Sequence, residues 1–137
     1  MKVPATKPYF FNKDRKFIFN NFKKILKGNS YLSMGKFGKE FEKKFAKYIG
    51  TKYAITCNSG TSALELICRS LNISGKEIIV PSNTFIASTN AILNAGCKPV
   101  FADCANDMCI DFKSIKNKIT KNTSAIMVVH IGGIISK

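Results

Sequence analysis

The sequence predicts an α/β protein in which two N-terminal helices precede a partial three-layer αβα domain on a mostly parallel sheet. From Tyr53 onward, short apolar runs rich in β-branched residues alternate with segments long enough for helices. That alternation is typical of βαβ units on a parallel sheet. Before Tyr53 the apolar residues recur at helical spacing. We therefore expect a helical segment over residues 1–50 and an incomplete α/β domain over residues 51–137.

The first helix is expected from Asp14 to Lys27. Its apolar residues fall at helical spacings, at Phe17, Ile18, Phe22, Ile25 and Leu26. Asp14 could cap the helix, and the Gly28-Asn29 pair could end it.

The second helix is expected from Lys36 to Ile49, with Gly50 as its stop. One stripe of this helix carries Phe37, Phe41, Phe45, Tyr48 and Ile49. A stripe of this kind predicts packing against a core and does not indicate a ligand site.

The α/β part is expected to alternate strands and helices. In chain order these are the strand YAITC, the helix SALELICRSL, the strand EIIVP, the helix FIASTNAIL and the strand PVFA. A lysine-rich amphipathic helix follows from Asp111 to Ile119. The apolar run SAIMVV, residues 124–129, then predicts a buried central strand. A chain that stops shortly beyond such a strand is expected to stop in the middle of its architecture.

Charge and composition narrow the function classes. The 22 Lys and Arg residues against 8 Asp and Glu give a net charge of +14, which would suit a polyanion or an anionic membrane. The charge is mostly lysine scattered through helical stretches, which favours solvated surface over a nucleic-acid site. No apolar stretch is long enough to span a membrane, and the N-terminus lacks the apolar core of a signal peptide. A soluble, intracellular protein is expected.

Five cysteines occur, none of them in a CxxC arrangement, and most lie in apolar runs. There they would act as small apolar residues in a reducing cytoplasm. The sequence contains no HExxH motif and no Cys/His cluster of zinc-site spacing, so no metal site is expected.

A candidate phosphate site follows the first predicted strand of the α/β part. The segment Asn58-Ser59-Gly60-Thr61-Ser62-Ala63 lies directly before a helix. The first N–H groups of a helix have no internal partners and attract phosphate. Alternatively, Thr61 or Ser62 only caps the helix and Gly60 only makes a turn. The segment matches neither the P-loop nor the GxGxxG fingerprint.

Two further candidates lie at the carboxyl ends of predicted strands, where ligands gather in open α/β sheets. Phe85, after Pro81, could stack on a planar heterocycle or could be a core residue. His130 follows the last strand and could face the same site or be a hydrogen-bonded structural group. Asp103 and Asp111 are explained by their positions at a strand end and before a helix.

Three segments together carry a resemblance to a known family. They are GKFGKEFEKKFAKYIGTKYAITCNSGTSALEL, EIIVPSNTFIASTNAILNAGCKPVFAD and ITKNTSAIMVVHIGG. In order and spacing they resemble the DegT/DnrJ/EryC1/StrS family of pyridoxal-phosphate-dependent aminotransferases, which have the fold type I architecture. The resemblance covers nearly the whole chain.

The resemblance implies a homodimeric enzyme that uses pyridoxal 5'-phosphate to move an amino group, usually from glutamate, onto a nucleotide-linked keto sugar. It implies that residues 51–137 belong to the cofactor-binding large domain. It also implies that Gly60, Thr61 and Ser62 lie at the cofactor phosphate, that Phe85 stacks on the pyridine ring and that His130 flanks the cofactor.

The family's Schiff-base lysine and its pyridine-binding aspartate have no counterpart here and are expected beyond the chain end. The 137-residue chain is therefore expected to be inactive alone. It is also expected to aggregate or pack loosely, because a parallel sheet without its later strands exposes an apolar edge and face. Two alternatives remain open. One is a sugar dehydratase of the same family, in which a histidine replaces that lysine. The other is a noncatalytic module that binds a polyanion.

Overall fold

The computed structural model describes residues 7–28 and 31–137. These residues form two compact units that divide between Thr56 and Cys57. The first unit is helical, and the second is a small α/β layer.

The first helix of the N-terminal unit, α1, spans Asn12–Lys27. Its N-cap residue is Phe11, which makes no side-chain cap, so the prediction that Asp14 caps this helix is wrong. The carboxylate instead lies in the first turn, where it complements the helix dipole. At the other end the N–H of Gly28 donates to the carbonyl of Lys24 at 3.0 Å. The expected stop at Asn29 lies outside the described residues.

The second helix, α2, spans Lys36–Ile49, as predicted. Gly50 ends it in the left-handed conformation, with φ of 81°, which glycine adopts without steric cost. The expected burial of the aromatic stripe is wrong. Its members Phe37, Phe41, Phe45, Tyr48 and Ile49 are all exposed, because the described part of this unit supplies no opposing layer to cover them.

The expected strand YAITC, residues 53–57, is also absent. A strand needs a neighbouring edge, and no strand of the described chain pairs with this segment. The backbone N–H and the hydroxyl of Thr56 donate instead to the carboxylate of Glu42, both at 2.8 Å. These two bonds lower the pKa of that carboxyl group.

The second unit alternates helices and strands, as the sequence predicts. In chain order they are α3 (Gly60–Ser70), β1 (Glu77–Pro81), α4 (Ile86–Asn94), β2 (Lys98–Ala102), α5 (Phe112–Lys118) and β3 (Thr123–Ile126). A short 3-10 turn follows at Ile131–Gly133. Asp111 caps α5, because its carboxylate accepts the N–H groups of Lys113 at 3.1 Å and Ser114 at 3.3 Å.

The three strands form a parallel sheet in the order β2-β1-β3. The central strand is therefore β1, which is almost wholly buried. The prediction that residues 124–129 form a buried central strand is wrong: β3 lies at an edge and its residues are only partly covered. In the described chain it has a hydrogen-bonding neighbour on one side alone.

The sheet lies between two packed layers. Ile78 and Val80 point to one face, where they pack with Cys68 of α3 and Ile92 of α4. Ile79 points to the other face and packs with residues that include Ile115 of α5. This alternation along β1 follows from the two-residue period of a strand. Helices on both faces of the sheet make up the three-layer αβα arrangement that the sequence predicts.

All five cysteines are free, and Cys68, Cys97 and Cys109 are buried in apolar surroundings, as expected. Burial raises the pKa of the Cys68 thiol. Over residues 7–28 and 31–137, none of the helices combines the length and the apolar character needed to cross a membrane.

Candidate functional site

An open cavity of about 610 Å³ lies at the carboxyl edge of the sheet in the second unit. The starts of α3 and α4 and the segment after β3 contribute its walls. The residues that carry its chemistry are Gly60, Thr61, Thr84, Phe85, Ser88 and His130. Of the five residues that the family resemblance implies at the cofactor, Gly60, Thr61, Phe85 and His130 line this one cavity, and Ser62 does not.

The first turn of α3 presents backbone N–H groups to this cavity. Ser59 is the N-cap, and its side-chain oxygen accepts the N–H of Ser62 at 3.1 Å. The carbonyl of Ser59 accepts the N–H of Ala63 at 3.1 Å. In the described chain, the N–H groups of Gly60 and Thr61 have no hydrogen-bond partner. The helix begins with two available donors, which are the groups that a phosphate needs.

The electrostatics of this turn also favour an anion. The first turn of α3 contains no acidic residue, so the positive end of the helix dipole is not neutralised locally. A Cβ atom added at Gly60 would meet no heavy atom within 4 Å. The Cβ position of Gly60, beside the first backbone donor, therefore faces open space.

Ser62 follows Thr61 directly but does not line the cavity. Its N–H is used by the cap, and its hydroxyl oxygen accepts a hydrogen bond from Ser59 at 3.1 Å. The alternative in which Thr61 or Ser62 caps the helix is wrong, because the capping residue is Ser59. A serine directly before the glycine is a signal from which this cap could have been predicted.

Phe85 is the residue directly before α4, and its ring is 75% exposed. The alternative in which Phe85 is a core residue is therefore wrong. The ring borders the cavity as a flat aromatic surface. Because it is exposed, it contributes little to the packing of the core.

Sequence reasoning missed a pair of hydroxyls on either side of Phe85. The Oγ1 atom of Thr84 and the Oγ atom of Ser88 are 2.8 Å apart. Ser88 is only 6% exposed, and both residues line the cavity. Neither belongs to a recognisable catalytic motif, so only the fold brings them to notice.

His130 lies in the segment after β3, exposed at the cavity wall. Its Nδ1 atom accepts the backbone N–H of Ser136 at 3.1 Å. In the neutral imidazole the proton then resides on Nε2, which becomes a hydrogen-bond donor. The structural role considered for this histidine is present, and it is compatible with a role at the cavity.

A polar network joins α3 to α4 away from the cavity. The Nε of Arg69 donates to Glu65 at 2.9 Å, and the Nδ2 of Asn94 donates to the other carboxylate oxygen at 3.3 Å. The guanidinium group also donates to the carbonyl oxygen of Asn94. The hydrogen bond from Arg69, followed by that from Asn94, lowers the pKa of Glu65. This network holds together the two helices whose first turns form the cavity.

Known proteins are similar to this chain in both sequence and fold. The chain is 47% identical over 105 residues to a GDP-perosamine synthase from Caulobacter vibrioides, a match over 74% of this chain and 28% of that protein. Helicobacter pylori PseC, an aminotransferase of pseudoaminic acid biosynthesis, superposes with a TM-score of 0.87 at 29% identity, over 100% of this chain and 36% of that one.

A third similar structure is a GDP-4-keto-6-deoxymannose-3-dehydratase with a trapped PLP-glutamate geminal diamine. Its TM-score is 0.79 at 28% identity, over 93% of this chain and 33% of that one. The chain thus spans about a third of the length of these proteins. The family model that matches residues 12–137 describes the DegT/DnrJ/EryC1/StrS aminotransferase family. Sequence and fold agree, and the chain belongs to this family.

Proposed function

We propose that this chain forms the first part of a pyridoxal 5'-phosphate-dependent aminotransferase. The enzyme would transfer an amino group, with glutamate as donor, to the keto group of a nucleotide-linked sugar in amino-sugar or polysaccharide biosynthesis. Family membership supports the reaction class, and the name of the perosamine synthase supports the substrate class. The observation that carries the proposal is that Gly60, Thr61, Phe85 and His130 line the same cavity.

The cavity fits the chemical groups of this cofactor. Its phosphate needs convergent donors, and the free N–H groups of Gly60 and Thr61 supply them at the positive end of α3. The open space beside Gly60 allows close approach of the phosphate oxygens. The planar ring needs an apolar face, which the exposed ring of Phe85 supplies.

Each residue then has a defined task. Bound pyridoxal phosphate supplies an electron sink and a carrier for the amino group. Gly60 and Thr61 hold the phosphate, and Phe85 orients the ring. Ser62, whose N–H and hydroxyl oxygen take part in the Ser59 cap, would also contact the phosphate through its hydroxyl proton. His130 lies at the cavity wall, and its bond to the N–H of Ser136 leaves Nε2 as the hydrogen-bond donor of the neutral ring.

The wider arrangement of the enzyme also belongs to this proposal. We expect residues 1–50 to form an N-terminal helical segment and residues 51–137 to form part of the cofactor-binding large domain. We expect a homodimer in the cytoplasm, where the five free cysteines would stay reduced. A nucleotide sugar and an amino-acid donor are the expected small-molecule partners.

A sugar dehydratase of the same family is the second candidate. The dehydratase structure supports it, because the same segment of fold occurs there with a TM-score of 0.79. Both candidates use the phosphate seat and the aromatic wall. They differ in whether nitrogen is added to the sugar or a hydroxyl group is removed from it.

The proposal is tested with the protein in its full natural length, loaded with pyridoxal phosphate and given glutamate without any sugar. We expect about one equivalent of 2-oxoglutarate per loaded site, followed by turnover when a nucleotide-linked keto sugar is added. An amino sugar as product supports the aminotransferase. A deoxy sugar without nitrogen supports the dehydratase, and no binding of the cofactor contradicts both.

A further inference from the structure

The backbone around Phe85 is anchored on both of its sides. Before the ring, the N–H of Ser82 donates to the carbonyl of Ala102 at 2.9 Å. The side-chain Nδ2 of Asn83 donates to the carbonyl of Met108 at 3.3 Å. These two bonds tie the loop after β1 to the last residue of β2 and to the segment that follows β2.

After the ring, the anchor is the hydroxyl pair of Thr84 and Ser88, whose oxygen atoms are 2.8 Å apart. The N–H of Ser88 also donates to the carbonyl of Phe85 at 3.0 Å. The hydroxyl pair therefore spans the residue that carries the ring. It joins the residue before the N-cap to the first turn of α4.

The start of α4 has no conventional side-chain cap. Phe85 occupies the N-cap position of α4, and its side chain makes no cap hydrogen bond there. Serine, threonine, aspartate or asparagine normally provides such a bond from this position. With an aromatic residue in that place, the side-chain hydrogen bond between Thr84 and Ser88 is the one that links the residue before the N-cap to the first turn.

We propose that Thr84, paired with Ser88, is a positioning residue that sets the direction of the Phe85 ring against the bound cofactor. This inference rests on the proposed function, since it concerns the same cavity. The ring itself is exposed, so core packing does not fix it and the backbone beneath it must do so. A stacked ring is useful only at a centroid separation of about 4.5–7 Å, so a small shift of this backbone reduces the contact.

Because Ser88 is buried, loss of its hydrogen bond to Thr84 should disturb the backbone beside Phe85. The side chain is 6% exposed, so loss of its partner leaves a polar group without a hydrogen bond in a nearly dry place. The segment would then rearrange to find another partner. That rearrangement occurs directly beside the aromatic wall of the cavity.

The test uses the full-length protein and compares Thr84→Val, which keeps the shape but loses the hydroxyl, with Thr84→Ser, which keeps the hydroxyl. Pyridoxal phosphate is titrated into each variant, and the circular dichroism of the bound cofactor is recorded. We expect Thr84→Val to weaken binding by about three- to tenfold and to reduce the dichroism of the bound cofactor. Thr84→Ser should bind as the wild type does.

A double-variant cycle separates positioning from a general loss of structure. In a Phe85→Ala background, Thr84→Val should have no further effect on binding, because the ring through which it acts is gone. A full-sized effect in that background overturns the proposal. Unchanged binding by Thr84→Val in the wild-type background overturns it too, as does equal weakening by Thr84→Ser.

The Ser88→Ala variant supplies a second arm, with the same expected weakening as Thr84→Val. If that variant does not fold, the Thr84 and Phe85 variants decide the matter by themselves. Wild-type protein that binds no pyridoxal phosphate contradicts the proposed function and this inference together. Wild-type binding with an indifferent Thr84→Val variant contradicts this inference alone.

Discussion

The side-chain oxygen of Ser59 accepts the backbone N–H of Ser62 at 3.1 Å, and this bond determines which donors of α3 remain available to a ligand. The cap engages the N–H of Ser62, while the N–H groups of Gly60 and Thr61, two residues that line the cavity, have no partner in the described chain. The capping residue and the phosphate seat are thus adjacent but separate. Substitutions at Ser59 can alter one without the other.

We expect Ser59→Ala to lower the free energy of unfolding by about 1 kcal/mol, the usual cost of a lost N-cap. Ser59→Asp should keep the cap and the stability, because aspartate is also a good N-cap. Its added negative charge should nevertheless weaken binding of pyridoxal phosphate by about tenfold or more. Thermal unfolding and cofactor titration measure the two effects. Wild-type affinity in Ser59→Asp would place the phosphate elsewhere.

Gly60→Ala should lower cofactor affinity without lowering stability. The added Cβ meets no atom within 4 Å, and alanine is a better helix former than glycine. We therefore expect stability to stay equal or rise by up to about 1 kcal/mol. The methyl group would occupy space that the phosphate needs, so cofactor affinity should fall. A variant with reduced stability and unchanged affinity would refute this assignment.

Phe85→Ala should cost little stability, because 75% of the side chain is already exposed. Changes at exposed sites usually stay within about 0.5 kcal/mol. Affinity for pyridoxal phosphate should fall in Phe85→Ala and be retained in Phe85→Tyr, which keeps the aromatic face. Isothermal titration of both variants checks the stacking role. Equal affinity in all three proteins would remove Phe85 from the site.

The network at Glu65 predicts a pH dependence of stability. The pKa of this carboxyl group is lowered in the folded state by the hydrogen bonds from Arg69 and Asn94. The ionised form therefore contributes stability above the unfolded pKa, and that contribution is lost as pH falls through the lower folded pKa. Wild-type protein should be more stable than Glu65→Gln near pH 7, and the difference should fade below about pH 4.

Urea unfolding of wild-type and Glu65→Gln protein at several pH values measures this difference. Glu40→Gln is the matched control, because Glu40 also has a partner four residues away, Lys36, but both side chains are largely exposed. Exposed pairs of this kind contribute little. A stability difference at Glu65 that does not change with pH would show that the carboxylate charge is not its source.

The sequence predicts the α/β unit well because its patterns are local. Strand β1 has a continuous apolar run, and α3 and α4 follow turn signals at the ends of apolar segments. The failures concern partners that a local pattern does not specify. The run that includes Ala125 and Ile126 is apolar enough for a central strand, yet β3 has a neighbour on one side alone in the described chain. The stripe on α2 likewise predicts a contact, and its partner is missing from the described unit.

The candidate site could be predicted where a local motif falls at the carboxyl edge of the parallel sheet. The Gly60-Thr61 segment, Phe85 and His130 each follow a strand or precede a helix, and the carboxyl edge of a parallel sheet brings such positions together. The Thr84–Ser88 pair was not predictable, because two hydroxyls four residues apart are common in any sequence. Only the burial of Ser88 and its 2.8 Å bond distinguish it.

The most direct test of the central claim is a crystal structure of the full-length protein with pyridoxal phosphate bound. We expect phosphate oxygens at about 3 Å from the backbone nitrogens of Gly60 and Thr61. The pyridine ring should lie against the side chain of Phe85. A phosphate held by other groups, with the first turn of α3 facing solvent only, would contradict the account.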